Sequence, residues 1–424
     1  MVVRTMAFSG ELFETFCGEY PEILQSGGRS RSMVDDLQYA LELQKGRLDR
    51  EGLRMECEIT PRGHFPKGEL SKEWSDGMFR SHMDIRTCNW TRTIFKGDKK
   101  VFKDTEDKIL YTTATDLIWG AKNIESESYT CPNCGNVTTI GALRDGCPYC
   151  GTHFELQDLY PRVGGFYYVK EIGGTEEEVK KDVFKYMIPC AVVFGAFGLL
   201  GTIFSGEQCS VIWGLQTIFM TALCAGMGAV LGYFLWAIRK LGSVFYEALR
   251  VLPLLPGALG SKKKYEDQLM KTNPDFSFDY FANKVGTLAK MLIFSDNPAA
   301  LPVCIGDHID NPYKDVVDAL FRGPVIIKSF KREGDYCHIR ADVQFDLLYK
   351  TGIGFINRRQ FVTLYLARDI TQPLRKYYSV KKVSCRNCGG SFDASRYDHC
   401  PFCGTEYDIR KEDWFVTGFA KKQA

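Results

Sequence analysis

The chain has 424 residues, of which 45% are hydrophobic and 25% charged, with Lys+Arg 54 against Asp+Glu 52. That length predicts two or three units rather than one small core, and the near balance of charge excludes a nucleic-acid binder that works by bulk charge. With Cys 16 a secreted chain would be disulfide-bonded, but Met1 to Ser9 lacks the apolar core of a signal peptide, so reduced thiols facing the cytosol are expected.

In chain order, Ser32 is placed to cap a helix carrying Val34, Leu37, Leu41 and Leu48. After a longer, polar stretch from Gly46 to Gly77, Met83, Ile85 and Thr87 alternate as in a strand. Lys96-Gly97-Asp98 supplies a turn, and Tyr111, Thr113, Thr115, Leu117 and Trp119 alternate again. Residues 1–128 therefore read as an N-terminal α+β module. Residues 129–175 form a first ribbon with a trailing strand. Cys131-Pro-Asn-Cys134-Gly is followed by Cys147-Pro-Tyr-Cys150-Gly and then by the aromatic segment Phe166 to Val169.

Residues 186–204 and 210–238 carry no charge, and each is long enough for a bilayer, which takes roughly 20 apolar residues. They predict a transmembrane hairpin over 186–238. Lys180, Lys181 and Lys185 precede it and Arg239 and Lys240 follow it, whereas the connecting loop holds only Glu207, so both flanks are expected on the cytoplasmic side. Pro189 sits in the first helix. Ala225, Gly228 and Gly232 share a face of the second, and packing inside the hairpin is the expected use of that face. Residues 239–264 place Leu241, Val244, Phe245, Leu249 and Leu252 at helical spacing. They read either as a membrane-surface helix, with Lys262, Lys263 and Lys264 favouring anionic lipid, or as a short helix packed on its own domain.

Residues 265–382 read as a second α+β domain. Phe278, Phe281, Val285, Leu288 and Leu292 form a helical stripe. Ile339, Ala341, Val343, Phe345 and Leu347 alternate, Lys350 to Gly354 turn, and Phe361, Thr363, Tyr365 and Ala367 alternate again. Residues 383–424 hold the second ribbon, Cys385-Arg-Asn-Cys388-Gly and Cys400-Pro-Phe-Cys403-Gly, ending on the segment Trp414 to Val416. Each CxxC pair turns two thiolates toward one ion, and two pairs make a closed four-sulfur site. The metal ligands are therefore Cys131, Cys134, Cys147, Cys150, Cys385, Cys388, Cys400 and Cys403, and two structural Zn2+ ions are expected, with iron as the alternative. His153 and His399 are read as neighbours. Cys17, Cys57, Cys88, Cys190, Cys209, Cys224, Cys304 and Cys337 show no metal spacing and read as small apolar residues.

The order helices, bent antiparallel sheet, ribbon occurs twice, which marks an internal repeat. The stretch from Phe276 to Phe419 resembles a bacterial family of membrane-anchored zinc-ribbon proteins with a Tim-forty-four-like domain. The resemblance is carried by DNPYKDVVDALFRGPVIIKSFKREGDYCHIRADVQFDLLY from Asp310 and YYSVKKVSCRNCGGSFDASRYDHCPFCGTEYDIRKEDWFVTGF from Tyr377. It implies a nuclear-transport-factor-two-like fold, a cone formed by a bent sheet wrapped around helices. The expected architecture is then α+β. Two cone-like modules, each with a zinc ribbon, are separated by a two-helix transmembrane hairpin.

The chain contains no Walker loop, GxSxG or HExxH motif, and no catalytic set is assigned. The function expected is a membrane-anchored, zinc-stabilised cytoplasmic scaffold or binding protein for protein, peptide or lipid. By analogy it is linked to protein translocation or membrane-complex assembly, and it sits in the bacterial cell membrane with two spans and both termini cytoplasmic. Two alternatives stay open. One is an enzyme using the cone's pocket, with Asp307, His308, Asp310, Asp342 and Asp346. The other is a ribbon that binds nucleic acid through Lys328, Lys331, Arg332, Lys381, Lys382 and Arg386 near Tyr377, Tyr378 and Phe402, although Glu406, Asp408, Glu412 and Asp413 dilute that field.

Overall fold

The computed structural model describes every residue except 1, 29, 31, 65–69, 77–78, 118–127, 132, 144–145, 154–161, 171–175, 205–210, 252–259, 261–263, 267, 272–275, 277, 307–308, 373–378 and 423–424. Two compact units emerge: Met1–Lys170 with Gly257–Ala424, and Glu171–Pro256. The two halves that flank the hairpin in sequence thus belong to one α+β unit.

In the first half, α1 (Val2–Ser26) and α2 (Asp35–Arg50) precede β1 (Leu53–His64), β2 (Leu70–Asp76), β3 (Phe79–Lys96) and β4 (Lys99–Leu117). The ribbon strands β5 (Ser128–Thr130) and β6 (Val137–Thr139), the short α3 (Ile140–Leu143) and β7 (Arg162–Lys170) follow. The antiparallel sheet has the order β1-β3-β4-β7, with β2 on β3. The long β3–β4 hairpin turns where expected, at Gly97 with φ 59°. Ser32 does not cap α2. The N-cap is Val34, without a side-chain bond, while the Ser32 hydroxyl donates to Glu19 Oε2 at 2.7 Å and so ties the linker back to α1. Phe13, Phe16, Tyr20, Ile23 and Leu24 on α1 recur at helical spacing and fill the first core against Trp90, Leu110, Phe166 and Tyr168.

The second half comprises α6 (Phe278–Phe294), β8 (Val316–Glu333), β9 (Tyr336–Thr351), β10 (Gly354–Asp369), the ribbon strands β11 (Lys382–Ser384) and β12 (Ser391–Asp393), and β13 (Phe415–Lys421). Its antiparallel sheet runs β13-β10-β9-β8, the same connectivity as β7-β4-β3-β1. The likeness extends to details. Both final strand pairs carry a bulge, on β7 opposite Thr113 and Ala114 and on β13 opposite Tyr365 and Leu366. Both final strands are bridged in parallel by the linker that follows the first helix, Met33 to Val163 and Cys304 to Val416. Phe281, Leu288, Leu292, Val343, Phe345 and Trp414 belong to the second core.

The halves interlock through buried polar contacts. The Arg47 guanidinium, at the end of α2, donates to the carbonyls of Phe294 (3.3 Å), Tyr313 (3.3 Å) and Lys314 (2.6 Å) and to Asp296 (3.1 Å). Asp36 Oδ1 accepts from the Ser379 hydroxyl and the Val380 amide, each at 2.7 Å. Burial pushes the Asp36 carboxyl up from its ordinary value. Gly323 in β8 has φ 97°, and a Cβ there would stand 2.8 Å from the Tyr167 ring of β7, so this crossing admits no side chain.

In the second unit, α4 (Glu176–Phe204) and α5 (Val211–Val251) hold apolar spans Val179–Phe204 and Ile212–Phe245, with mean hydropathy 2.1 and 1.9. Both helices are long and apolar enough to cross a membrane, and only 6% and 11% of their most apolar windows are buried. Small residues let them approach closely, as the hairpin reading expected. A Cβ on Gly228 or Gly232 would meet the Cys190 or Tyr186 carbonyl at 2.4 or 2.6 Å. Residues 239–251 form no separate surface helix, because α5 runs through them without a break. The loop and Lys262–Lys263 lie outside the described residues. Lys264, which is described, is exposed and places its Nζ 5.1 Å over the Tyr265 ring.

Candidate metal centres

The four CxxC turns share one geometry. Within each, the Gly after the second cysteine donates to the first cysteine's carbonyl at 2.8–2.9 Å. The first cysteine's amide donates to the residue five positions on, Asn136, Thr152, Gly390 or Thr405, at 2.8–2.9 Å. Gly135, Gly151, Gly389 and Gly404 take φ of 73°, 70°, 72° and 73°, a conformation that an L side chain resists, so the glycine in each repeat is a backbone requirement. The two turns of a ribbon then face each other.

The sulfurs of Cys131, Cys134, Cys147 and Cys150 lie within 4.8 Å of one another, as do those of Cys385, Cys388, Cys400 and Cys403. Two separations in the first set are 3.8 Å, and two in the second are 3.5 and 3.6 Å. Four sulfurs around one ion with bonds of about 2.3 Å stand about 3.8 Å apart, whereas a disulfide requires about 2.05 Å. The residues fit a single four-coordinate ion in each set, and all eight thiols are free.

Each ribbon sets a threonine hydroxyl against the second sulfur of its second CxxC turn. The Thr152 hydroxyl lies 3.3 Å from Cys150 Sγ and accepts from Asn133 Nδ2 at 2.6 Å, and the Thr405 hydroxyl lies 3.2 Å from Cys403 Sγ. Hydrogen bonding with the threonine hydroxyl, then with its amide, lowers both thiols, to about 6. Burial pushes Cys131 and Cys388 up, to about 11 and about 12. His399 pairs with Asp398 at 2.6 Å, and each set is complete without it or His153.

The ribbons touch. The Ser391 amide donates to the His153 carbonyl at 2.6 Å, and a Cβ on Gly390 would meet Phe402 at 2.6 Å and Thr152 at 3.1 Å. The second ribbon has its own small core, in which Phe392 and Ile409 pack with Ala367 of β10 and Phe415 of β13, so that metal site and sheet share side chains.

Among the described residues, the carboxylates read as enzyme candidates are engaged separately. Asp307 and His308 lie outside the described residues, and Asp310 is exposed. Asp342 and Asp346 are buried four residues apart on β9, and each is engaged. Asp342 Oδ1 accepts from the Thr363 hydroxyl at 2.8 Å, with Lys422 3.8 Å from Oδ2. Asp346 accepts from the Tyr168 hydroxyl and from Arg359 Nε at 3.0 Å. Of the basic residues read as a nucleic-acid face, Lys381 pairs with Glu42 at 2.6 Å and Arg386 with Glu412 at 2.6 Å, while Lys382 lies 3.8 Å from Asp35; Tyr377 and Tyr378 are not described.

An interior group that the sequence reading missed surrounds Asp318: Arg92, Lys108 and Lys290, all buried. A local signal existed for two of them. Arg92 stands in the same alternation as Cys88, Trp90 and Ile94, and Lys290 interrupts a stretch of α6, Leu288 to Phe294, that is buried all round. No family model, curated protein or solved structure matches the chain.

Proposed function

We propose that the chain is a non-enzymatic, membrane-tethered scaffold of the Tim-forty-four-like zinc-ribbon type. Its α+β unit, held by two structural zinc ions, presents a binding surface for protein, peptide or lipid beside a membrane. The observation that carries this is the pair of closed four-sulfur sets. Four thiolates fill a tetrahedral ion and leave no position for a substrate, which suits zinc in a structural role. The two apolar helices supply the tether, and the basic residues on both sides of the hairpin support a bacterial cell membrane location with two spans and both termini cytoplasmic. A link to protein translocation or membrane-complex assembly rests on the resemblance alone.

Elemental analysis of the detergent-solubilised chain is expected to find two zinc ions. Iron, or less than one metal per chain, overturns the metal assignment. Crosslinking in cells with mass spectrometry is expected to recover a stable membrane-proximal partner. Recovery of none, together with no binding to lipid vesicles, overturns the scaffold.

A further inference from the structure

Three cations are buried around Asp318, and one of them, Arg92, also pairs through Nη2 with Asp104. Arg92 on β3, Lys108 on β4 and Lys290 on α6 are buried; Asp318 favours the charged form of all three, Asp104 that of Arg92 and Lys108, and Glu106 that of Lys108. The carboxylate is itself fully engaged. Asp318 Oδ1 accepts from Gln44 Nε2 and the Ala319 amide, both at 2.9 Å, and Oδ2 accepts from Arg92 Nη1 at 2.7 Å. Lys108 Nζ, Lys290 Nζ and Arg92 Nε have no acceptor within hydrogen-bond distance. Glu106 Oε2, 3.6 Å from Lys108 Nζ, forms an ion pair with it but lies beyond hydrogen-bond distance.

Both amines rest on one aromatic cluster. Lys108 Nζ lies 4.6 Å from the centre of the Tyr168 ring and 5.2 Å from that of Trp90, and Lys290 Nζ lies 4.4 Å from Phe166. Phe166 stacks on Trp90 with centroids 6.2 Å apart. Ring faces attract cations but accept no strong hydrogen bond, so the desolvated ammonium groups remain short of a partner. Burial pushes both lysines down to about 8, which leaves them mainly protonated at neutral pH.

The second half shows the same corner without the charge. Thr112 pairs with Phe166 as Leu364 pairs with Phe419, and this correspondence sets Lys108 against Gln360 and Arg92 against Tyr349. There the Tyr349 hydroxyl donates to Gln360 Oε1 at 2.7 Å, a neutral pair satisfied within the protein. One copy of the fold therefore closes this corner internally, and the other leaves Arg92 Nε and Lys108 Nζ without acceptors, beside Lys290 Nζ of the second half.

We infer that Arg92, Lys108 and Lys290 form a binding site for a small oxyanion, enclosed where the two halves of the α+β unit meet. An oxyanion supplies the several acceptor lone pairs that Arg92 Nε, Lys108 Nζ and Lys290 Nζ lack. Because Lys290 comes from the second half and Arg92 and Lys108 from the first, the anion also joins the halves.

The test uses the detergent-solubilised full chain, dialysed into sodium chloride and unfolded thermally with added sodium phosphate at matched ionic strength. Sulfate and acetate are the comparison arms. The wild-type midpoint is expected to rise with phosphate, by roughly 4–8 °C at a hundredfold excess over the dissociation constant. The rise is expected to vanish in Lys108→Met and Lys290→Met and to persist in Lys99→Met, at the exposed hairpin turn. A stronger response to phosphate and sulfate than to acetate assigns a tetrahedral anion, and the reverse assigns a carboxylate. An anion held through dialysis is read by ion chromatography after denaturation, with about one oxyanion per chain expected. No midpoint shift and no released oxyanion, or a shift that survives both lysine substitutions, overturns the site.

Discussion

The two halves of the α+β unit share a strand order, a bulge, a linker bridge and a ribbon, yet they differ in what they do for each other. Among the described residues, only the first half carries a helix between the linker bridge and the first strand. That helix, α2, reaches into the second half through Asp36, Gln44 and Arg47. The second half shows no such helix among its described residues and instead offers carbonyls at the end of α6 and before β8. The difference teaches that a duplicated module becomes one folding unit when one copy keeps a clasp that the other lacks.

The largest effect is expected at the ribbons. Chelation, or Cys403→Ser, should remove the second metal and melt β13 with it, since folding and binding in such sites are coupled by about 10–16 kcal/mol. Cys150→Ser should spare β13, because the core shared with the sheet belongs to the second ribbon. Hydrogen exchange of the β13 amides distinguishes the two. Equal loss in both variants would remove the asymmetry between the copies.

Arg47→Met should cost about 3–5 kcal/mol, because it strands buried carbonyls and uncouples the halves. Urea unfolding is expected to shift to a lower midpoint and to broaden. A wild-type profile would mean that α2 is not the clasp. The interior lysines are expected to act through pH. Each binds its proton less tightly when folded, at about 8, than when unfolded, at about 10.5. The folded state therefore holds fewer protons between those values, and stability in chloride should rise with pH through that window. The cost, about 3 kcal/mol per amine, is fully present below pH 8. Lys108→Met should flatten the rise, which denaturation at pH 7.5, 8.5 and 9.5 would read. The smallest effect is expected for Gly323→Ala, about 1–3 kcal/mol from the strained φ and the Tyr167 ring. It should appear as a lower melting temperature with both metals retained, and an unchanged melting temperature would mean that this crossing can yield.

Much of this was legible before any coordinates. The ribbons were, because a CxxC turn closes within six residues. The apolar spans and the alternating strands β3, β4, β9 and β10 were also clear, since each signal lies within one element. The polar stretch from Gly46 to Gly77 hid β1 and β2, because one face of an edge strand is free to be polar. The apolar residues of α1 were present at helical spacing but lacked a cap to announce them. Ser32 misled because its hydroxyl bonds Glu19, thirteen residues back, rather than the helix that follows it.

Local chemistry settles the two four-sulfur sets, the two long apolar helices and the α+β class, because glycine conformation, cysteine spacing and apolar length act over a few residues. Only tertiary packing decides that two modules separated by the apolar hairpin form one unit. The Arg47 to Lys314 contact spans 267 positions, and the Arg92 to Asp318 contact spans 226. The charge of Arg92, Lys108 and Lys290 looks ordinary in the chain. It becomes a site because packing removes water and leaves each guanidinium and ammonium to find its partners inside.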